Sequence, residues 1–215
     1  MSVAHRAARR GAIAASGASP KKTINYTFTA KPAGTLDVAL DANAGASAIN
    51  SNALREGANS GTAGQYYLSA AVMPDVMSTL YSTTVTNAAQ STSQRGMGPG
   101  CFSSDGTKGV FAILKGNTGA AAIYSWTGGV YVSQATLGGL YSTSSSDQIA
   151  IVPSVAAGVV TWTVVKNGTP TSLSWPDSGH VVDLPGTHPA ACFLHQYSGG
   201  QFYSPGISAL AAADL

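Results

Sequence analysis

Between Val159 and Trp175 the chain spells out a tight hairpin: Val159–Val165, then Lys166-Asn167-Gly168-Thr169, then Thr171–Trp175. Asn-Gly supplies two neighbouring residues that tolerate positive φ, which a type I′ turn demands, and the twist of that turn matches two antiparallel strands. In the first arm, Val160, Trp162 and Val164 alternate with Val159, Thr161 and Thr163, so one face is built for a core. A hairpin of this kind cannot bury that face alone, and it asks for a second sheet to cover it.

Short strands punctuated by turns account for the rest of the chain from Thr23 onward. Thr23–Thr29 reads as a strand with Ile24, Tyr26 and Phe28 on one face, followed by a turn at Lys31-Pro32-Ala33-Gly34. Further strands are expected at Gln65–Met73, Met97–Ser103, Lys108–Lys115, Ala121–Trp126, Val130–Gln134 and Gln148–Pro153. His180–Leu184, Ala190–Tyr197, Gln201–Tyr203 and Ile207–Leu210 complete the series. Asp105-Gly106, Gly116-Asn117 and the pairs Gly128-Gly129, Gly138-Gly139 and Gly199-Gly200 read as turns. Many short strands at this spacing imply an all-β, two-sheet antiparallel jelly-roll sandwich. A length of 215 residues suits one such domain, residues 23–215.

Residues 1–22 form a separate basic arm. Arg6, Arg9, Arg10, Lys21 and Lys22, with Lys31, supply six of the eleven cationic residues, and no acid precedes Asp37. Val3 to Ala15 is the one helix candidate, short enough to need a neighbour to pack on. The charge asymmetry marks the arm as a tether for assembly with a partner chain. Its interleaved alanines and lack of aromatics offer no base contact, so nucleic acid is not the expected partner. With Met1 retained and Gly11–Pro20 broken by Gly and Ser, no cleaved leader is expected, and no stretch is long enough to insert in a membrane. Only 9% of residues are charged, far below the roughly 25% of ordinary soluble domains. Such a neutral surface suits a protein held in a larger assembly.

The inventory for catalysis is thin. Glycosidases flank the scissile bond with paired carboxylates, whereas Glu56 is the single glutamate, and Asp37 and Asp41 read as turn or strand-edge residues. His188 and His195 are seven apart without cysteine or glutamate support, which is weak metal spacing. No nucleophile elbow and no phosphate loop are present. The expectation is a non-enzymatic protein with no cofactor and no metal. Cys101 and Cys192 can in principle bridge, but as small apolar residues among strands they read as buried free thiols.

The second half resembles a concanavalin-like, laminin-G-type jelly roll. The residues that carry the likeness are Asp147-Gln148-Ile149-Ala150-Ile151, then Val159 to Pro170, then the return Leu184-Pro185-Gly186 into Ala190–His195. Upstream, Ala48 to Arg55 is similar to an early strand of that family, and with the closing Ala212-Ala213-Asp214-Leu215 the set resembles minor tail proteins of actinobacterial bacteriophages. The resemblance implies a virion protein that assembles with other virion proteins, as a homo-oligomer, and attaches to a host-surface glycan. The alternatives are a capsid or decoration protein anchored by the arm, and a stand-alone lectin-like module. Because sugars stack on exposed rings near turns, Trp126, Tyr131, Trp175 and Tyr197 are the expected glycan-binding residues.

Overall fold

The Asn167-Gly168 turn forms as the sequence demands, with φ of 50° and 78° at its two residues. It joins Val159–Lys166 to Thr169–Asp177, and Trp162 pairs with Trp175 across the two strands. The computed structural model describes residues 23–32, 36–39, 48–50, 53–55, 62–68, 77–85, 96–103, 107–115, 119–140, 147–179, 181, 188–196 and 206–214. The arm, with its helix candidate and its residues Arg6, Arg9, Arg10, Lys21 and Lys22, lies outside them.

Fifteen strands are described, in chain order β1 (Thr23–Thr27), β2 (Leu36–Ala39), β3 (Ala48–Asn50), β4 (Ala53–Arg55), β5 (Thr62–Leu68), β6 (Met77–Val85), β7 (Gly96–Phe102), β8 (Lys108–Lys115), β9 (Ala121–Thr127), β10 (Val130–Leu137), β11 (Gln148–Ala156), β12 (Val159–Lys166), β13 (Thr169–Asp177), β14 (His188–Gln196) and β15 (Gly206–Asp214). They form two antiparallel sheets. The eight-stranded sheet runs β13-β12-β11-β6-β15-β4-β3, with β1 also on β15, and the seven-stranded sheet runs β10-β9-β8-β7-β14-β5-β2. One edge of β15 carries β6, while β1 and β4 share the other: β1 pairs with residues 209–213 and β4 with Ile207.

The main core lies between the sheets. Ile149 and Ile151 of β11, Val160, Trp162 and Val164 of β12, and Leu173 of β13 meet Met97, Cys101, Val110, Ala112, Leu114, Ala121 and Ile123 of the facing sheet. Period-2 alternation decides which residues take part: β12 alternates half-buried and buried from Val159 to Val165, and its buried set is Val160, Trp162 and Val164. Ile24 and Tyr26 pack on the same core from β1, and Phe28 is fully buried just beyond it, although the strand ends at Thr27.

Several expected strands run longer or shifted. β5 begins three residues before Gln65, and β10, β11, β13 and β15 each extend past their expected ends. The early strand resembled by Ala48 to Arg55 is a tight hairpin of β3 and β4. β2 and the nine-residue β6 stand where no strand was read. His180–Leu184 and Gln201–Tyr203 lie outside the described residues, apart from Val181.

Trp162 is fully buried, and its indole Nε1 has no hydrogen-bond partner. The side chain therefore stabilises by volume. Trp162→Ala is expected to cost about 3–5 kcal/mol through lost packing and the cavity left behind. Trp162→Phe, which also removes the unpaired donor, is expected to cost clearly less, as measured by equilibrium denaturant unfolding.

Candidate functional site

Over β7, β8 and β9 the seven-stranded sheet is apolar on both faces. Opposite the main core, a second cluster unites Phe102 of β7, Phe111 and Ile113 of β8, Ala122, Tyr124 and Trp126 of β9, and Ala190 and Cys192 of β14, with Tyr131 of β10 packed against it. Alternation explains the split, since Val110, Ala112 and Leu114 take one face of β8 while Phe111 and Ile113 take the other.

Four rings make a row across β7 to β10. Phe102 and Phe111 stack with centroids 6.0 Å apart, Phe111 and Tyr124 stack at 5.4 Å, and Tyr124 meets Tyr131 edge-on at 6.1 Å. Trp126 is the cross-strand partner of Tyr131. The row is closed at β7 and opens toward β10: Phe102 and Phe111 are fully buried, Trp126 and Tyr124 keep 5% and 8% of their surface, and Tyr131 is half-buried. Exposed Ser133 follows two residues beyond Tyr131 and pairs with Tyr124.

Glycines let the rings lie flat. Phe102 pairs with Gly109 across β7 and β8, and its ring occupies the space that a Cβ on Gly109 would need. A Cβ on Gly100 would sit 2.6 Å from Cys192 Sγ and 2.8 Å from the Phe102 ring. Cys192 is thus sealed among rings and backbone, and burial, reinforced by Cys101, pushes its thiol well above the ordinary range. No disulfide joins the two cysteines; they are buried in the clusters on opposite faces of the sheet, as the buried-thiol reading expected. Their strands pair with Cys101 beside Pro189 and Cys192 beside Gly98.

The expected sugar-binding residues are divided. Trp126 and Tyr131 come together on the aromatic row. Trp175 lies on the other sheet, half-buried against the main core beside Trp162. Tyr197 lies outside the described residues. Phe102 and Phe111, which anchor the row, were not singled out in the sequence. Their signal was a hairpin centred on Asp105-Gly106, which folds one back beside the other.

Two described carboxylates, Asp147 and Asp177, are each held by neighbouring donors. Asp147 Oδ1 accepts from Asn167 Nδ2 at 2.9 Å, and Oδ2 pairs with Lys166 Nζ at 2.9 Å. Lys166 Nζ also donates to the Leu140 carbonyl, and the backbone N–H of Gln148 donates to Asn167 Oδ1. Together they pin the β12–β13 turn to the start of β11. Buried Asp177 accepts the Val181 N–H with both oxygens, at 3.1 and 2.9 Å. Among the described residues no three His, Cys, Asp or Glu side chains gather as a metal site. Glu56 and Asp41 lie outside them, and Asp37 is on β2.

No protein-family profile matches the chain, and no curated protein matches it in sequence. Solved structures do. The winged bean acidic lectin, solved with methyl-α-D-galactose, is similar with a TM-score of 0.62 at 10% identity, over 90% of this chain and 98% of that one. The carbohydrate recognition domain of Emp47p is similar at 0.59 and 9% identity, over 90% and 95%. A carbohydrate-binding module from Bacillus subtilis gives 0.51 and 11%, over 83% and 91%. The fold is a lectin-type, concanavalin-like jelly roll. At these identities the likeness is one of fold, and it bears out the sandwich expected from the sequence.

Two expectations follow from the sealed face. Gly109→Ala should cost roughly 1–3 kcal/mol, because the Phe102 ring must leave its place. Gly138→Ala, where a Cβ meets nothing within 4 Å, should change stability by less than about 0.5 kcal/mol. Ellman's reagent should reach neither Cys192 nor Cys101 in the folded protein and both after unfolding. Because the folded thiol of Cys192 resists ionisation, stability should also fall as pH rises through the ordinary thiol value of about 8.5, where only the unfolded chain ionises.

Proposed function

We propose that this chain is a non-catalytic, lectin-like carbohydrate-binding module, and that the sugar stacks on Tyr131 beside Trp126. One observation carries the reading: a row of rings on one sheet face is sealed at Phe102 and opens to solvent only at Tyr131. A pyranose presents an apolar C–H face that an aromatic ring accepts, and the exposed hydroxyl of Ser133 is placed to hydrogen-bond a sugar hydroxyl. The fold supports the reading, being shared with proteins whose names describe sugar binding. So does a chain of which only 9% is charged, which favours a neutral ligand.

The reading is non-catalytic because Asp147 and Asp177 are held by Lys166, Asn167 and the Val181 N–H rather than poised across a cleft. A place in a phage tail or capsid rests on the sequence resemblance and the basic arm alone. The likenesses of fold just described are to lectins and a carbohydrate-binding module and add nothing to it. The stand-alone module accounts for the same body without it.

A single stacked ring contributes only about 0.5–1.5 kcal/mol beyond its buried area. Affinity per site should be weak and binding should emerge with many copies on one support. On a glycan array probed with protein displayed on beads, the parent should bind neutral glycans, and Tyr131→Ala should lose most of that binding while remaining folded, with its melting temperature lowered only by the packing lost at one half-buried ring. Silence of the parent on every neutral glycan, or equal binding by the variant, would refute the proposal.

A further inference from the structure

The two long edge strands on one side of the sandwich are built differently. β13 closes the eight-stranded sheet and β10 closes the seven-stranded one. β13 carries Pro170 and Pro176, both exposed, and proline offers no N–H to an incoming strand, a common way of blocking an edge. β10 reads Val-Tyr-Val-Ser-Gln-Ala-Thr-Leu, without proline, lysine or any charge. It also carries two of the three large exposed hydrophobics among the described residues, Val130 at 62% and Val132 at 49% exposure. Such an uncharged, β-branched strand with no proline, at the end of the sheet among the described strands, is a template for another strand.

The pattern along β10 says which strand. Before its bulge, the strand pairs with β9 in regular register from Val130 to Ser133, and irregularity enters between Ser133 and Ala135. The regular segment is therefore short and centred near Tyr131. Laid antiparallel on a second copy of itself about Tyr131, it sets Val130 of each copy opposite Val132 of the other. Four half-exposed valines then cover one another on one face. On the other face the two Tyr131 rings meet, and the row Phe102, Phe111, Tyr124, Tyr131 continues directly into its mirror sequence in the second copy. Such a contact is self-complementary, as a two-fold interface requires, and with no charge on the strand nothing repels the copy.

We propose that two copies of this chain pair through β10, antiparallel about Tyr131, merging their seven-stranded sheets into one continuous sheet with a shared aromatic stripe at its centre. The second copy then contributes its Tyr131 to the same open patch. The pairing stands independently of whether that patch binds a glycan, since its readout is mass in solution.

The test uses the full chain. Sedimentation velocity across micromolar concentrations should show a dimer for the parent. V130K/V132K, which sets lysine opposite lysine at both pairs, should sediment as a monomer with an unchanged melting temperature. Oxidised Tyr131→Cys should form a covalent dimer, because directly opposed residues in an antiparallel pair lie about 4.5–5.5 Å apart between Cα atoms, within disulfide range. Ser172→Cys, on the proline-bearing β13, should not. A monomeric parent, a V130K/V132K variant that stays dimeric, or a dimer that Tyr131→Cys fails to crosslink would each overturn the proposal.

Discussion

β7 has almost no side chains on one of its faces, and the arrangement of the seven-stranded sheet depends on that. Gly96, Gly98 and Gly100 alternate with Met97, Pro99 and Cys101, and every residue of the strand is buried. A Cβ on Gly96 would collide with the side chain of Ile113, and one on Gly98 with the carbonyl of Ala112. At Gly100 it would run into Cys192, Phe102 and Phe111. The missing side chains are the room into which neighbouring strands lean. Glycine in a strand weakens it in isolation; here it allows a central strand to be covered from both sides, and the bulk returns as Phe102 folded over Gly109.

The same strand carries a proline at its centre. Pro99 pairs with Ala191 of β14, but on the β8 side the regular register skips from Met97–Leu114 to Gly100–Phe111. The register is the same on both sides of that gap, so the absent N–H of Pro99 interrupts the β7–β8 ladder locally without shifting it. One strand thus combines a glycine stripe, an interrupted ladder and the first ring of the aromatic row.

How much of this was legible depends on whether a residue's role is local. The β11–β12–β13 hairpins were readable because Asn167-Gly168 and the alternation of Val160, Trp162 and Val164 are local facts, and local facts sufficed for a two-sheet sandwich. β6 was not readable. Its residues, Met-Ser-Thr-Leu-Tyr-Ser-Thr-Thr-Val, look like a polar loop, yet it pairs with both β11 and β15. Its placement comes from the neighbours that flank it, since strand propensity mostly reflects such surroundings. The site was half legible for the same reason. Trp126 and Tyr131 flank a two-glycine turn and pair through it, whereas Trp175 sits just as near a turn and belongs to the other sheet. Proximity to a turn does not say which face a ring takes; strand parity and sheet assignment do.

That parity also separates what the aromatic residues do. Phe102, Phe111 and Tyr124 of the row, with Trp126 beside it, are almost wholly withdrawn from solvent, so their energy is that of packing, at roughly 25 cal/mol for each Å² of apolar surface removed from water. Only the last ring has surface left to offer a ligand, and its position is fixed by the others through contacts of 5.4 to 6.1 Å. A rigid, pre-placed ring loses little entropy when something stacks on it, which matters where each contact is weak. In the proposed reading the buried row is the foundation of the site and its β10 end the surface that meets the sugar. The glycines of β7 and Gly109 make room for the buried rings, and those rings in turn set where Tyr131 lies.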